Sequence, residues 1–410
     1  MRAPGAGGAK GGQGLGGAAR PRVVLSGGGT GGHIYPALAI AGELRRLLPD
    51  LEILYLGSRE GMEAEIVPRA GLDFRGIPAA GFVGKGFRER VEGVLSLGRG
   101  FGEARRILSA FRPRAVVGTG GYASLPAGLA AVSLRLPLFL QEQNAYPGLS
   151  NRLLSPFCRE VFLAWEEARP FFPRRARCRV VGNPVRREVV EADREEARSS
   201  LGLGKGEFLC LIFMGSRGSL TVNRVLVEAL PELLRRHPGI RVVWVSGKDH
   251  YEGVRRVLEE RGGGDEKDQN WLAGGMTGGW RLQLYPYLHD LPRYLAAADL
   301  VVCRAGALAL AEITARGIPS LLVPSPHVAH GHQEANARAL ARRGAAAVIR
   351  EAELTPFRLV REVEGLLGDS ERLRLMARAA RELGRPGAAS SIAEVIFSHI
   401  HGSTVGRVPS

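Results

Sequence analysis

The stretch Val23 to Arg46, VVLSGGGTGGHIYPALAIAGELRR, decides the fold. A short apolar run breaks into glycines and a threonine, and a histidine then opens a helix. Gly27, Gly29 and Gly32 have the G-x-G-x-x-G spacing, between strand and helix, that a dinucleotide loop uses. Glycines there let backbone approach a pyrophosphate, and the helix N-terminus offers free amides and the positive end of a dipole. Two neighbours argue against the usual cofactors. A nicotinamide site wants an acidic residue at the tip of the second strand, where LEILYLGSRE places Gly57, Ser58 and Arg59. A P-loop wants G-K-[ST], and His33 stands roughly where its lysine would be. A side chain at the mouth of such a loop points into the crevice beyond the carboxyl ends of the strands, where ligands bind. His33 is therefore a candidate to touch substrate, the plain alternative being a helix-start histidine bonded to nearby backbone.

The pattern repeats along the chain. RVVLSGGG, LEILYLGS, RAVVGTGG and PLFLQEQN are strands that run into loops, and after about Val180 the series restarts with EFLCLIFMGS, RVVWVSG, DLVVCRAGA and PSLLVPS. Strands alternating with helices predict an α/β protein of two Rossmann-like domains with parallel sheets. The first spans 21–182 and the second 183–383, with Gly182, Asn183 and Pro184 marking the boundary. A helix and tail over 384–410 are expected to pack back on the first domain. The Gly-rich stretch 1–20 has almost no bulky apolar side chain to bury and reads as disordered. Arg261 to Arg281 reads as an inserted surface loop.

Composition narrows the function. The 410 residues are 45% hydrophobic and 24% charged, a balance typical of globular proteins, and the formal net charge is +15. Ala115 to Leu134 carries no charge, yet Gly118, Gly120, Gly121 and Pro126 divide it into strand, loop and helix, so it does not read as a membrane span. The four cysteines, Cys158, Cys178, Cys210 and Cys303, form no C-x-x-C pair, and His327, His330 and His332 lack the H-E-x-x-H pattern, so no metal site is expected. No nucleic-acid signature accompanies the basic charge, which leaves phosphorylated substrate or an anionic membrane surface as its partner. Gly81 to Arg114 carries eight Lys/Arg against three Glu, with Phe82, Val83, Phe87, Val91, Val94 and Leu95 interleaved. Apolar residues rimmed by positive charge suit a lipid interface.

Other loops at the same sheet edges carry polar chemistry. GTGGYAS (118–124) repeats the first loop, and QEQNAYPGLSN (141–151) is dense in amides, which donate and accept as sugar hydroxyls require. In the second unit, MGSRGSLTVN and RAGALALAE place small residues before helices, and Glu312 lies where it could accept from ribose hydroxyls or simply serve a helix dipole.

Taken together, GGGTGGHIYPALAIA, GTGGYASLPAGLAA, EQNAYPGLSN, GNPVR, VVCRAGALALAEI and HQEANARAL, in order over roughly Arg22 to Leu383, resemble the MurG family of N-acetylglucosaminyltransferases in glycosyltransferase family 28. The resemblance implies a GT-B fold, two domains facing across a cleft, with the acceptor on the first and UDP-GlcNAc mainly on the second. It implies inverting transfer of GlcNAc to the lipid-linked MurNAc of lipid I, at the cytoplasmic face of the cell membrane, with no cofactor or metal. Partners among other cell-wall synthesis proteins are compatible with it. Carried over by motif, Thr30, Gly31 and Gly32 would line the cleft near sugar and diphosphate, and Asn144 would contact the sugar. Arg186 and Ser216 would face the diphosphate, and Leu288 would bind uracil through its backbone. Ala307, Leu308, Ala309, Leu310, Ala311 and Glu312 would hold phosphate and ribose, Gln333 would reach the donor sugar, and His33 is the candidate catalytic base. Related GT-B lipid glycosyltransferases or a non-catalytic nucleotide-binding module are the rival readings. The chain departs from the family's usual GGSQGA with Met214, Arg217 and Ser219, and has His289 where an acidic residue is usual.

Overall fold

Two parallel sheets carry the fold among the residues that a computed structural model describes, namely 20–79, 87–215, 218–261, 281–328 and 331–401. In the first sheet, β1 (Arg22–Ser26) lies between β2 (Glu52–Ser58) and β4 (Ala115–Gly118). Outside them stand β3 (Asp73–Ile77) on one flank and β5 (Leu138–Glu142), β6 (Glu160–Leu163) and β7 (Cys178–Val180) on the other. The second sheet has the order β10-β9-β8-β11-β12-β13. These are β8 (Phe208–Phe213), β9 (Ile240–Val245), β10 (Leu282–Tyr285), β11 (Leu300–Cys303), β12 (Ser320–Leu322) and β13 (Ala346–Val348). The strands read as near-continuous apolar runs because helices cover both faces; Val23, Val24 and Leu25 are all fully buried.

Helices of the first domain are α1 (Gly31–Leu47), α2 (Glu63–Arg69), α3 (Phe87–Phe111), α4 (Ser124–Ser133) and α5 (Leu149–Leu154). Ile34, Ala37, Ile40, Ala41 and Leu44 recur at helical spacing on α1 and enter the core beside β1. In chain order α6 (Arg187–Glu191) and α7 (Arg194–Ser200) follow, and their Val189 and Ala197 enter the core of the second domain. The second sheet is clad by α8 (Leu220–Arg236), α9 (Tyr251–Arg261), α10 (Leu291–Ala297), α11 (Ala307–Arg316), α12 (His332–Arg342), α13 (Pro356–Leu367) and α14 (Ser370–Leu383). The chain then returns: α15 (Ala388–His401) sends Ile392, Ala393, Ile396 and Ile400 into the core of the first domain. Ser390 donates to Glu43 on α1 at 3.0 Å, and Arg114 donates to the Ile400 carbonyl at 3.0 Å.

Both sheets reverse order at their first strand, between β1 and β4 and between β8 and β11. Loops leaving neighbouring strands in opposite directions open a crevice there, which places the first two Gly-rich loops side by side. Most of the tail 1–20, the basic stretch 80–86, the inserted loop 262–280, and Ser216, Arg217 and His330 lie outside the described residues, as do the side chains of Phe87, Val91 and Val94. No helix among the described residues is long and apolar enough to cross a membrane, and none of them forms a cluster of three His, Cys, Asp or Glu suited to a metal.

Candidate active site

The first glycine loop has an interior partner. Glu63, fully buried, accepts from the Ser58 amide at 2.9 Å and from the Gly29 amide at 3.1 Å. The Gly29 amide is therefore taken by an interior side chain. Gly28 is required for this arrangement, since a Cβ there would sit 2.0 Å from the Glu63 carboxylate. The second loop closes against the first: a Cβ on Gly121, at φ +77°, would fall 2.1 Å from the Gly28 carbonyl.

His33 lies where the two loops meet, half-buried on the first turn of α1. Its Nδ1 is 3.0 Å from the Thr119 carbonyl and 3.0 Å from Oε1 of Gln143. Thr119 in turn donates its hydroxyl to the His33 carbonyl at 2.7 Å, tying the start of α1 to the second loop. Thr30, the N-cap of α1, is exposed, and Gly31 and Gly32 are half-exposed beside it. Asn144 is held by Glu142, which accepts from its backbone amide at 3.0 Å and its side-chain Nδ2 at 3.3 Å. The same carboxylate takes Gly148 and Asn151, so one buried acid shapes the whole amide-rich loop.

Opposite these loops stands the second domain. Arg186 donates from Nη2 to Glu312 at 3.2 Å and stacks over the Tyr35 ring at 4.5 Å. Its Nε is buried with no hydrogen-bond partner among the described residues. Burial pushes the Glu312 carboxyl above its ordinary range, against the opposing pull of Arg186. Tyr35 of α1 and Tyr287 share a hydrogen bond of 2.6 Å between their hydroxyls, joining the two domains. Leu288 follows in the open loop before α10, where its backbone is not committed to a strand or helix. Around Ala307, Leu308 and Ala309 the first turn of α11 has no side-chain cap, whereas the side chain of Leu310 is buried in the core and that of Ala311 is half-buried. Gln333 uses its Oε1 to accept from the Ser325 amide at 2.9 Å, bracing the loop that precedes α12.

A cavity of about 920 Å³ runs between the two domains along α1 and α2, lined by Tyr35, Arg186, Lys248, Tyr287 and His289 among others. It reaches the Arg186 end of the site but does not touch His33 or Asn144. The unusual residues also find places. Met214 is buried in the second core, and Ser219 caps α8, accepting from the Val222 amide at 3.4 Å and from Arg304 at 2.7 Å. His289 is exposed and packs edge-on against Tyr287. Sequence reasoning missed Tyr35, Tyr287, Glu63 and Gln143; for Gln143 the crowding of amides in QEQN was the available signal, and for the others there was none.

Two family models match the chain, the glycosyltransferase family 28 N-terminal domain over residues 23–163 and the C-terminal domain over 209–394. The chain belongs to glycosyltransferase family 28. Among relatives in this family, the UDP-N-acetylglucosamine--N-acetylmuramyl-(pentapeptide) pyrophosphoryl-undecaprenol N-acetylglucosamine transferase of Moorella thermoacetica is 44% identical over 379 residues, 92% of this chain and 99% of that one. The same-named protein of Halothermothrix orenii is 40% identical over 93% of this chain and 100% of its own. Of solved structures, Acinetobacter baumannii MurG superposes with TM-score 0.67 at 26% identity, covering 92% of this chain and 99% of that chain. A Neisseria meningitidis UDP-GlcNAc 2-epimerase bound to UDP-GlcNAc, at 13% identity and TM-score 0.63, shares the two-domain fold. The architecture of this family 28 member is GT-B: two parallel-sheet α/β domains with their switch points turned toward one cleft.

Proposed function

We propose that the chain transfers GlcNAc from UDP-GlcNAc to the C4 hydroxyl of MurNAc in undecaprenyl-pyrophosphoryl-MurNAc-pentapeptide, lipid I, giving lipid II with inversion at C1. One observation carries the reading beyond family membership. The first domain carries a half-buried histidine at the meeting of its two glycine loops, and the second carries half-buried Arg186 paired with buried Glu312 on α11, whose start has no side-chain cap. The C4 oxygen attacks C1 from the face opposite UDP, the C1–O bond to the diphosphate breaks, and the hydroxyl proton passes to His33. Negative charge then grows on the diphosphate. Arg186 and the amides of Ala307, Leu308 and Ala309 supply fixed positive potential for it, while Glu312 accepts from the ribose hydroxyls. Asn144 and Gln333 bind the sugar, Leu288 the uracil, and Thr30, Gly31 and Gly32 leave room for the reacting groups.

The acceptor's lipid tail requires a peripheral position on the cytoplasmic face of the membrane. Exposed Arg99, Arg105 and Arg106 on α3 and Arg112 just beyond it, with Leu95 55% exposed, support an anionic lipid surface as partner. The decisive experiment is a transfer assay with radiolabelled UDP-GlcNAc and a soluble lipid I analogue. A GlcNAc–MurNAc product is expected; UDP-GlcNAc binding with no product, or transfer only to diacylglycerol, overturns the assignment. His33→Ala should lower kcat by about 10²–10⁴-fold with donor affinity held within about twofold. A wild-type rate removes His33 as the base.

A further inference from the structure

His33 Nδ1 faces only acceptors. The Thr119 carbonyl cannot donate, and the sense of the Gln143 amide is set by its own neighbours. Its Nε2 donates to the Thr119 carbonyl and to Oε1 of Gln141. Gln141 donates from Nε2 to Oδ1 of Asn183 at 3.0 Å. Asn183 donates from Nδ2 to two backbone carbonyls, Gln143 at 3.1 Å and Ala307 at 3.2 Å. Backbone carbonyls anchor this chain of amides, so no member can be reversed without placing two acceptors or two donors face to face. Oε1 of Gln143 is thereby left to face His33. Gln141, Gln143 and Asn183 are 0%, 2% and 5% exposed, so water does not compete for these bonds.

We infer that Gln143, backed by Gln141 and Asn183 and paired with the Thr119 carbonyl, is the positioning residue that holds His33 as the Nδ1–H tautomer. Nε2, which has no hydrogen-bond partner among the described residues, keeps its lone pair for the acceptor hydroxyl. As the proton arrives at Nε2 the ring becomes a cation, and the Nδ1–H bonds strengthen as hydrogen bonds to a charged group do. Gly120 lets the ring lie this close to the second loop, since a Cβ there would stand 3.1 Å from Nδ1. The series ends at the first residue of α11, so the orientation of the base depends on the donor side of the cleft being in place. This inference rests on the reading of His33 as base.

The test is a double-mutant cycle with Gln143→Met and His33→Ala in the full-length chain, read by transfer kinetics, UDP calorimetry and ¹⁵N spectra of the histidine rings. Gln143→Met alone should lower kcat by about 10- to 100-fold, the size of one lost hydrogen bond to a charged group, with UDP affinity within about twofold. On the His33→Ala background the same substitution should change kcat by less than about twofold, because the group it acts through is gone. The wild-type His33 ring should show the Nδ1–H form, and Gln143→Met, which leaves only the Thr119 carbonyl at Nδ1, a larger share of the Nε2–H form. An undiminished loss on the His33→Ala background, or an unchanged ring spectrum in Gln143→Met, overturns the positioning role. A wild-type rate for His33→Ala would instead fail the base reading, and the ring spectrum would still decide whether Gln143 sets the tautomer.

Discussion

At the residue scale, Glu312 is the group whose ionisation carries most consequence. Its carboxyl is 2% exposed and its pKa is raised, so the charged form is disfavoured by burial and only partly restored by Arg186. Without nucleotide, a carboxyl harder to ionise folded than unfolded contributes stability below its unfolded pKa. That contribution is lost as pH rises through the raised folded value. Donor binding has the opposite sign. In the proposed donor complex ribose hydroxyls donate to the carboxylate, so UDP affinity should rise with pH through that raised value and level off above it. Calorimetry of UDP binding as a function of pH checks this, and Glu312→Gln should flatten the dependence; a slope retained in Glu312→Gln would assign it to another group. Glu312 itself was legible in the sequence, as a carboxylate one turn into a helix that follows small residues. Its partnership with Arg186 was not, because the two lie 126 residues apart.

At the element scale, the alternation of apolar runs and Gly-rich loops was enough to predict strands, helices and two α/β units, since period and turn chemistry are local properties. The short α6 and α7 and the stretch GNPVR were less readable. Asn183 read only as turn punctuation, yet it is buried and bridges β5's amide loop to α11. The return of α15 to the first domain is the largest packing decision of this kind. Ile396 is fully buried in that core, and Ile396→Ala should cost about 2–5 kcal/mol. Urea unfolding checks this; a loss under about 0.5 kcal/mol would mean α15 is dispensable to the core.

At the scale of the whole molecule, the polar contacts that join the two domains near the site include the Tyr35–Tyr287 hydroxyl pair, Arg186 over Tyr35, and Asn183 with Gln141 and the Gln143 carbonyl. Burial and the Tyr287 bond push the Tyr35 hydroxyl well above its ordinary pKa, so it remains a neutral donor or acceptor at working pH. Tyr35→Phe keeps the ring beneath Arg186 and deletes only the bridge. A loss of about 1 kcal/mol would shift the balance between joined and parted domains by about fivefold. Förster transfer between dyes on the two domains should report a smaller joined fraction; an unchanged distribution would show that the bridge does not hold them.

The sequence by itself determined the α/β class, the two-unit plan, the family and the Gly-rich loops at the sheet edges, because glycine spacing and apolar period act over neighbouring residues. Only the tertiary structure decided what those residues do to one another. Glu63 fills the first glycine loop, Gln143 and Thr119 take Nδ1 of His33, and Arg186 turns to Glu312. His33 meets Thr119 and Gln143 across 86 and 110 residues of chain. Hydrogen-bond partners at such separations are chosen by how two sheets stack and which strand edges coincide, and no local pattern records that choice. GGGTGGH therefore announces a loop in the sequence and becomes the wall of a cleft only when the second loop and the amides behind it close around its histidine.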